Sequence, residues 1–167
     1  MPGRLTWRPM AQGDLDGVVA VARLAFPDHP EDRACFAERL DLNPSGCFVL
    51  DGIDGVRGYL IAYPWTGASA PALNTLIGAV PADAATMYLH DLALHPDARG
   101  GGHARPIVER LAARAAGDGW PSLSLVAVND AAPFWGRLGF RPVDDPAMAD
   151  KLAAAYGADA RYMVRPI

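Results

Sequence analysis

From Arg99 to Ala104 the chain reads RGGGHA. An alternating apolar run, YLHDLAL from Tyr88, precedes it, and a segment with helical spacing, IVERLAARAA from Ile107, follows. A strand, a glycine loop and a helix in that order make an anion site, because the first turn of a helix presents unsatisfied N–H groups and the positive end of its dipole. Glycines let a ligand reach the backbone itself, although the same residues could simply turn the chain. Two phosphate binders are disfavoured. No lysine follows Gly102, as a P-loop needs, and Arg105 stands where the third glycine of a dinucleotide fingerprint belongs. Upstream lie two groups able to move a proton, His90 and Asp91. Adjacent strand residues point to opposite faces, so only one of them is expected to face a ligand. Joining them with His95 and Asp97 into a metal set requires crossing from strand to loop in five residues and matches no recognised ligand pattern, so no metal is expected.

The elements that must position these residues alternate. Leu5 to Met10 reads as a strand and Asp14 to Phe26 as a helix, with Leu15, Val18, Val19, Ala22 and Phe26 on one face. A second short helix runs from Glu31 to Leu40. The run GCFVLDGIDGVRGYLIAY holds two strands around Asp-Gly turn residues and predicts an antiparallel hairpin. Pro64 to Thr86 is rich in Pro, Gly and Ala around the apolar island LNTLIGAV, which predicts a structured loop or short helix. Then come a fourth strand (Met87 to Leu94), a helix (about His103 to Ala116), a fifth strand (Ser122 to Val128), a helix (Ala131 to Leu138), a strand from Phe140, a helix near Asp150 to Tyr156, and a terminal strand in ARYMVRPI. Such alternation predicts a mixed sheet with helices packed on it.

Two of these stretches resemble a known family. RGGGHA fits the Arg/Gln-x-x-Gly-x-Gly/Ala signature of the GNAT superfamily of acyl-CoA-dependent N-acyltransferases, with Arg99, Gly102 and Ala104 at its fixed positions. HDLALHP is similar to that family's fourth strand, and NDAAPFWGRLGF, about 30 residues after the glycine loop, to its Asn-containing motif ending in Leu-Gly-Phe. The resemblance implies an α/β (α+β) fold: a mixed, mostly antiparallel sheet of about 6–7 strands flanked by helices, with strands four and five splayed apart. It also implies that residues 1–167 form a single GNAT domain. The implied activity is transfer of an acetyl group from acetyl-CoA to a primary amine of a small molecule or peptide by direct attack. The alternative is a non-catalytic acyl-CoA sensor or interaction module.

The resemblance further implies which residues do what. N–H groups of Arg99, Gly100, Gly101, Gly102, His103 and Ala104 would hold the coenzyme A pyrophosphate, while Leu92, Ala93 and Leu94 would pair with the pantetheine arm as a substitute strand. His103 reads equally as a solvated helix-start residue. Asn129 could contact the pantetheine, or it and Asp130 could cap the following helix. Asp91, or His90, could take the amine's proton directly or through water, or be a satisfied half-buried polar group. Trp135 stands where many members carry a tyrosine that protonates the leaving thiolate. Indole is no acid near neutral pH, so Trp135 is expected to be an apolar wall. Pro106 is tolerated only in the first helical turn, which predicts a start for that helix delayed by a residue or two.

Composition narrows the partners. The net charge is −4 and no basic run occurs, which argues against nucleic acid. No apolar run approaches the ~20 residues a bilayer span needs, and MPGRLTWRPM lacks a signal peptide's apolar core. Cys35 and Cys47 read as buried free thiols suited to a reducing cytoplasm. A homodimer is compatible with all of this. The amine site is implied to lie between Phe26–Leu42, with Asp28, Glu31, Asp32 and Glu38, and Pro64–Thr86, with Trp65, Asn74 and Asp83. Carboxylates and aromatic faces would favour a cationic amine, whereas Arg57, Arg137 or Arg161 at the site would favour an acidic acceptor.

Overall fold

The computed structural model describes residues 4–28 and 30–167; the first three residues and His29, in the segment expected to border the amine site, lie outside it. Seven strands form one sheet: β1 (Thr6–Pro9), β2 (Cys47–Gly52), β3 (Gly55–Trp65), β4 (Thr86–Leu94), β5 (Ser122–Ala127), β6 (Arg141–Pro142) and β7 (Arg161–Pro166), in the spatial order β1-β2-β3-β4-β5-β7-β6. Five helices flank them: α1 (Leu15–Ala25), α2 (Arg33–Leu42), α3 (Ala104–Gly117), α4 (Ala132–Arg137) and α5 (Pro146–Tyr156). Among the described residues no helix is long and apolar enough to cross a membrane.

The apolar run of β3 is continuous because both its faces are covered. Leu60 and Ala62 join Leu89, Ile107, Leu111, Trp135 and Phe140 on the α3 and α4 side. Tyr59, Ile61 and Tyr63 join Leu15, Val18, Phe36, Leu40 and Tyr88 on the α1 and α2 side. This is the sequence pattern of a central strand. Cys35 and Cys47 are buried and unbridged.

The sheet is antiparallel except between β4 and β5. Those two run parallel and pair only at Met87 with Leu123 and Tyr88 with Ser124. Beyond Tyr88 they part, and β4 continues to Leu94 along β3 alone. The splay implied by the family resemblance is therefore present.

Helices α3 and α5 begin earlier than expected, and the segment between β3 and β4 takes the loop form of its two expected forms. Helix α3 begins at Ala104 with no delay, because Pro106 falls in its first turn, where a missing N–H costs nothing. Helix α5 begins at Pro146, not near Asp150: the Asp145 carboxylate accepts a hydrogen bond from Met148 N at 3.3 Å, and Pro146 supplies a preset first residue. The segment between β3 and β4 forms turns and no helix.

Candidate active site

The gap between β4 and β5 opens into a cavity of about 460 Å³, whose lining includes Glu31, Tyr88, His90, Asp91, Leu92, Arg99, Asn129, Trp135 and Tyr156. One irregularity decides what faces it. Along β4, Leu89 pairs with Ala62 and Asp91 with Ile61, so His90 is an extra residue in a β-bulge. Strict alternation would send His90 and Asp91 to opposite faces. The bulge instead shifts the pleat by one, and both side chains turn to the α1 and α2 side with Tyr88. The expectation that only one could face the cavity is corrected by this extra residue.

The two side chains meet a third, Glu31, from the approach to α2. His90 Nε2 lies 2.7 Å from Glu31 Oε1, His90 Nδ1 lies 3.1 Å from the Tyr63 hydroxyl, and the Tyr59 hydroxyl donates to Asp91 Oδ2 at 3.0 Å. Glu31 Oε2 accepts from Asn74 N at 3.1 Å. The side chains of His90 and Glu31 are 4% and 5% exposed. Burial works against the imidazolium of His90, but the Asp91 and Glu31 carboxylates outweigh it and raise its pKa above the ordinary value. Burial likewise opposes ionisation of Glu31. Its hydrogen bond and charge interaction with His90, helped by Asn74 N and the Arg39 charge, reverse that and lower its pKa. Asp91 is pushed up to about 6 by burial, reinforced by Glu31, with His90 and the Tyr59 hydroxyl pulling the other way. The cluster therefore favours the charged forms of His90 and Glu31 beside a carboxyl, Asp91, that exchanges its proton near pH 6.

One ligand-type atom each from Glu31, His90 and Asp91 fall within 4.8 Å of one another. Both ring nitrogens of His90 are engaged, and a cation here would have to displace the bond to Glu31. The set His90, Asp91, His95 and Asp97 is not assembled. His95 turns away to accept from Asp97 N at 3.1 Å, opening a short turn after β4.

The other end of the cavity is basic. Arg99 lines both it and a neighbouring cavity of about 390 Å³ formed with Gly100, Gly102, His103, Arg105 and Arg137. Gly100 and Gly102 have φ of 79° and 75°, in the left-handed region, and a Cβ at either would meet nothing within 4 Å. At Gly101 a Cβ would come within 2.8 Å of the His103 ring, which would have to turn aside. His103 is the N-cap of α3 but makes no side-chain capping bond. Its carbonyl is held from across the sheet by Trp7 Nε1 at 2.8 Å. Arg105 donates to Arg137 O at 3.0 Å, joining the glycine loop to the end of α4. An open backbone cradle at a helix N-terminus, ringed by three arginines, fits a phosphate-bearing ligand.

The remaining sites expected from sequence fall into place unevenly. Leu92 lines the first cavity and Leu94 the second, while Ala93 is buried toward α1 and α2. Trp135 is 8% exposed, with its ring edge-on to Phe140 at 5.5 Å, and forms a wall of the gap. Asn129 also lines the cavity, but neither it nor Asp130 caps α4. Both have left-handed φ, 54° and 61°, which carries the chain one residue further and leaves Ala131 as an N-cap without a side-chain bond. Of the acidic and aromatic residues expected around the amine, Glu31 reaches the cavity and Asp28, Asp32 and Asp83 are exposed. Glu38 holds buried Arg39 at 3.0 Å, and Trp65 packs on Tyr63. Sequence reasoning missed Tyr59, Tyr63, Tyr88 and Tyr156. The period-2 pattern of β3 placed the first two on one face, but nothing local pointed to a cavity there.

The family model of the acetyltransferase (GNAT) family matches residues 16–140, well over half of the chain and a span containing the glycine loop, both splayed strands and α4. The chain belongs to the GNAT family. Solved structures agree on the fold. Ard1 from Thermoplasma volcanium superposes with a TM-score of 0.72 at 13% identity, covering 100% of this chain and 99% of that one. Naa20 from Chaetomium thermophilum, solved with a bisubstrate analogue, gives 0.70 at 19% identity, covering 97% and 86%. GphF, a GNAT-like decarboxylase solved with isobutyryl-CoA, gives 0.75 at 16% identity, covering 96% and 98%. No curated protein sequence gives a significant match. Membership in the GNAT family supports acyl transfer with a coenzyme A-type ligand.

Proposed function

We propose that this GNAT protein is a single-domain N-acetyltransferase that moves the acetyl group of acetyl-CoA to a primary amine of a small molecule or peptide. The observation that carries the reading is the polarity of the gap between β4 and β5: an open, arginine-ringed glycine loop at one end and the Glu31–His90–Asp91 cluster at the other.

In this reading the N–H groups from Gly100 to Ala104, with Arg99, hold the pyrophosphate, and the unpaired edge of β4 from Leu92 to Leu94 pairs with the pantetheine. Asn129 and Trp135 border the arm. Asp91 accepts a proton from the incoming ammonium, directly or through one water, leaving a neutral amine whose lone pair forms the new C–N bond. His90, held by Glu31 and Tyr63, supplies positive charge beside Asp91 and keeps it able to ionise. The C–S bond then breaks, and the second proton of the nitrogen passes through water to the departing sulfur, leaving a neutral amide and a free thiol. A departing thiolate has an ordinary pKa of about 8.5 and needs only water to take up its proton, so Trp135 need not act as an acid. Holding the two reactants together and aligned does most of the work.

The test is coenzyme A release from acetyl-CoA across a panel of amines. Amine-dependent release with matching N-acetylated product upholds the proposal. Cofactor binding with no amine-dependent turnover refutes it and favours a non-catalytic acyl-CoA module.

A further inference from the structure

Resting on that reading, we infer that the acceptor is a compact primary alkyl- or arylalkylamine without a carboxylate beside its nitrogen, and that the Asn74–Gly78 segment bars peptides from the site. The charged side chains lining the larger cavity are Glu31, His90, Asp91 and Arg99. Arg99 belongs to the glycine-loop end, where it meets Arg105 and Arg137. Of these the cation at the acidic end is His90, and both its ring nitrogens are taken, by Glu31 and by Tyr63, while Arg23 shares a separate small pocket with Glu31 and Asp91 and does not line this cavity. Arg39 is near but does not line the cavity; it is 1% exposed and holds Glu38 at 3.0 Å and Thr75 O at 2.9 Å. Of the arginines that would have favoured an acidic acceptor, Arg137 lines the glycine-loop cavity and the other two lie elsewhere. Arg57 sits 3.5 Å from Asp54 at the β2–β3 hairpin, and Arg161 donates to Ala158 O and Ala160 O on the surface. An ammonium therefore meets two carboxylates, whereas a carboxylate one bond further along would meet the same two with no free counter-charge among the described residues that line the cavity, an arrangement that disfavours amino acids. Phe26, Leu73, Tyr88 and Tyr156 supply apolar and aromatic surface for the rest of the acceptor.

A peptide would also need an open groove with backbone partners leading away from the amine. Beside Glu31 that route is occupied by a segment tied down along its length. Asp32 N donates to Asn74 Oδ1 at 2.7 Å and Asn74 N to Glu31 Oε2 at 3.1 Å. Ile77 N and Gly78 N donate to the Glu38 carboxylate at 2.7 and 3.0 Å.

The test compares 2-phenylethylamine, phenylalanine and a short peptide with N-terminal phenylalanine. The first two differ by a single carboxylate. With acetyl-CoA saturating, kcat/KM from thiol release should favour the amine over phenylalanine by on the order of 100-fold, with the peptide lower still. In Asn74→Ala, the ratio of peptide to amine kcat/KM should rise by roughly 10-fold as the segment loosens. If that variant fails to fold, Glu38→Gln gives the same reading. Phenylalanine or the peptide matching the amine overturns the inference while leaving N-acetyl transfer intact, and an unmoved ratio in a folded variant overturns the role of the segment. No turnover with any amine overturns the proposed function and this inference with it.

Discussion

His90 Nε2 stands 2.7 Å from Glu31 Oε1, across 59 positions of sequence, and both side chains are almost fully buried. Removing one partner of such a pair strands the other charge. Glu31→Gln should cost on the order of 3 kcal/mol near neutral pH, read from urea unfolding. The raised pKa of His90 makes its contribution complete below the unfolded value of about 6.5 and lost as pH rises through the folded value. The lowered pKa of Glu31 makes its contribution complete above about 4.3 and lost as pH falls through the folded value. The gap between wild type and variant should therefore be widest from about pH 5 to 6.5 and narrow on both sides. A gap independent of pH would show that the pair is not ionic.

Asp91 supplies the pH limb of catalysis. Its carboxyl, pushed up to about 6, cannot accept a proton when already protonated, so kcat/KM should fall with an added limb below about pH 6. Asp91→Asn should lower turnover by roughly 100-fold, remove that limb and leave acetyl-CoA affinity nearly unchanged. A pH–rate profile from 5 to 9 on both proteins checks this. Retention of the limb in the variant would assign it to another group.

Gly102 tests the cradle. Its φ of 75° admits asparagine and aspartate better than most residues, so Gly102→Asn controls for conformation while Gly102→Asp adds charge. By calorimetry the aspartate variant should bind acetyl-CoA at least 10-fold more weakly than the asparagine variant, ~1.4 kcal/mol. Equal affinities would place the phosphates elsewhere.

How much of this was legible in the sequence depended on the reach of each signal. The glycine loop, the β2–β3 hairpin and the strand–helix alternation are local patterns, and they appear where expected. The bulge at His90 is not local. It depends on Ile61 and Ala62 taking Asp91 and Leu89 as partners, which the alternation of β4 alone could not show. Glu31 reads as one carboxylate among several until the fold brings it to His90. Asn129 and Asp130 have good capping side chains, but their left-handed backbone, with Asp130 N held by Asp159 Oδ2 at 3.0 Å, depends on a residue 29 positions on. Helix α5 starts early through Asp145 and Pro146, a pairing that also signals a turn.

Trp135 stands where the family resemblance implies an acid, and indole cannot be one near neutral pH. Trp135→Phe should keep turnover within a few-fold and cost roughly 1–3 kcal/mol of stability, since the smaller ring leaves space beside Phe140. Thermal melts and steady-state rates on the same preparation separate the two effects. A loss above ~100-fold in turnover, with stability and cofactor affinity retained, would give the indole a chemical role.

The measurement that bears most directly on the central claim is a crystal structure with a bisubstrate analogue in which coenzyme A is joined through an acetyl bridge to 2-phenylethylamine. Pyrophosphate oxygens are expected on the N–H groups of Gly100 to Ala104 and the acetyl bridge in the gap between β4 and β5. The amine nitrogen should lie within ~3.2 Å of the Asp91 carboxylate or one water away from it. Pyrophosphate bound away from the glycine loop, or an amine nitrogen directed away from Glu31, His90 and Asp91, would contradict the proposed function.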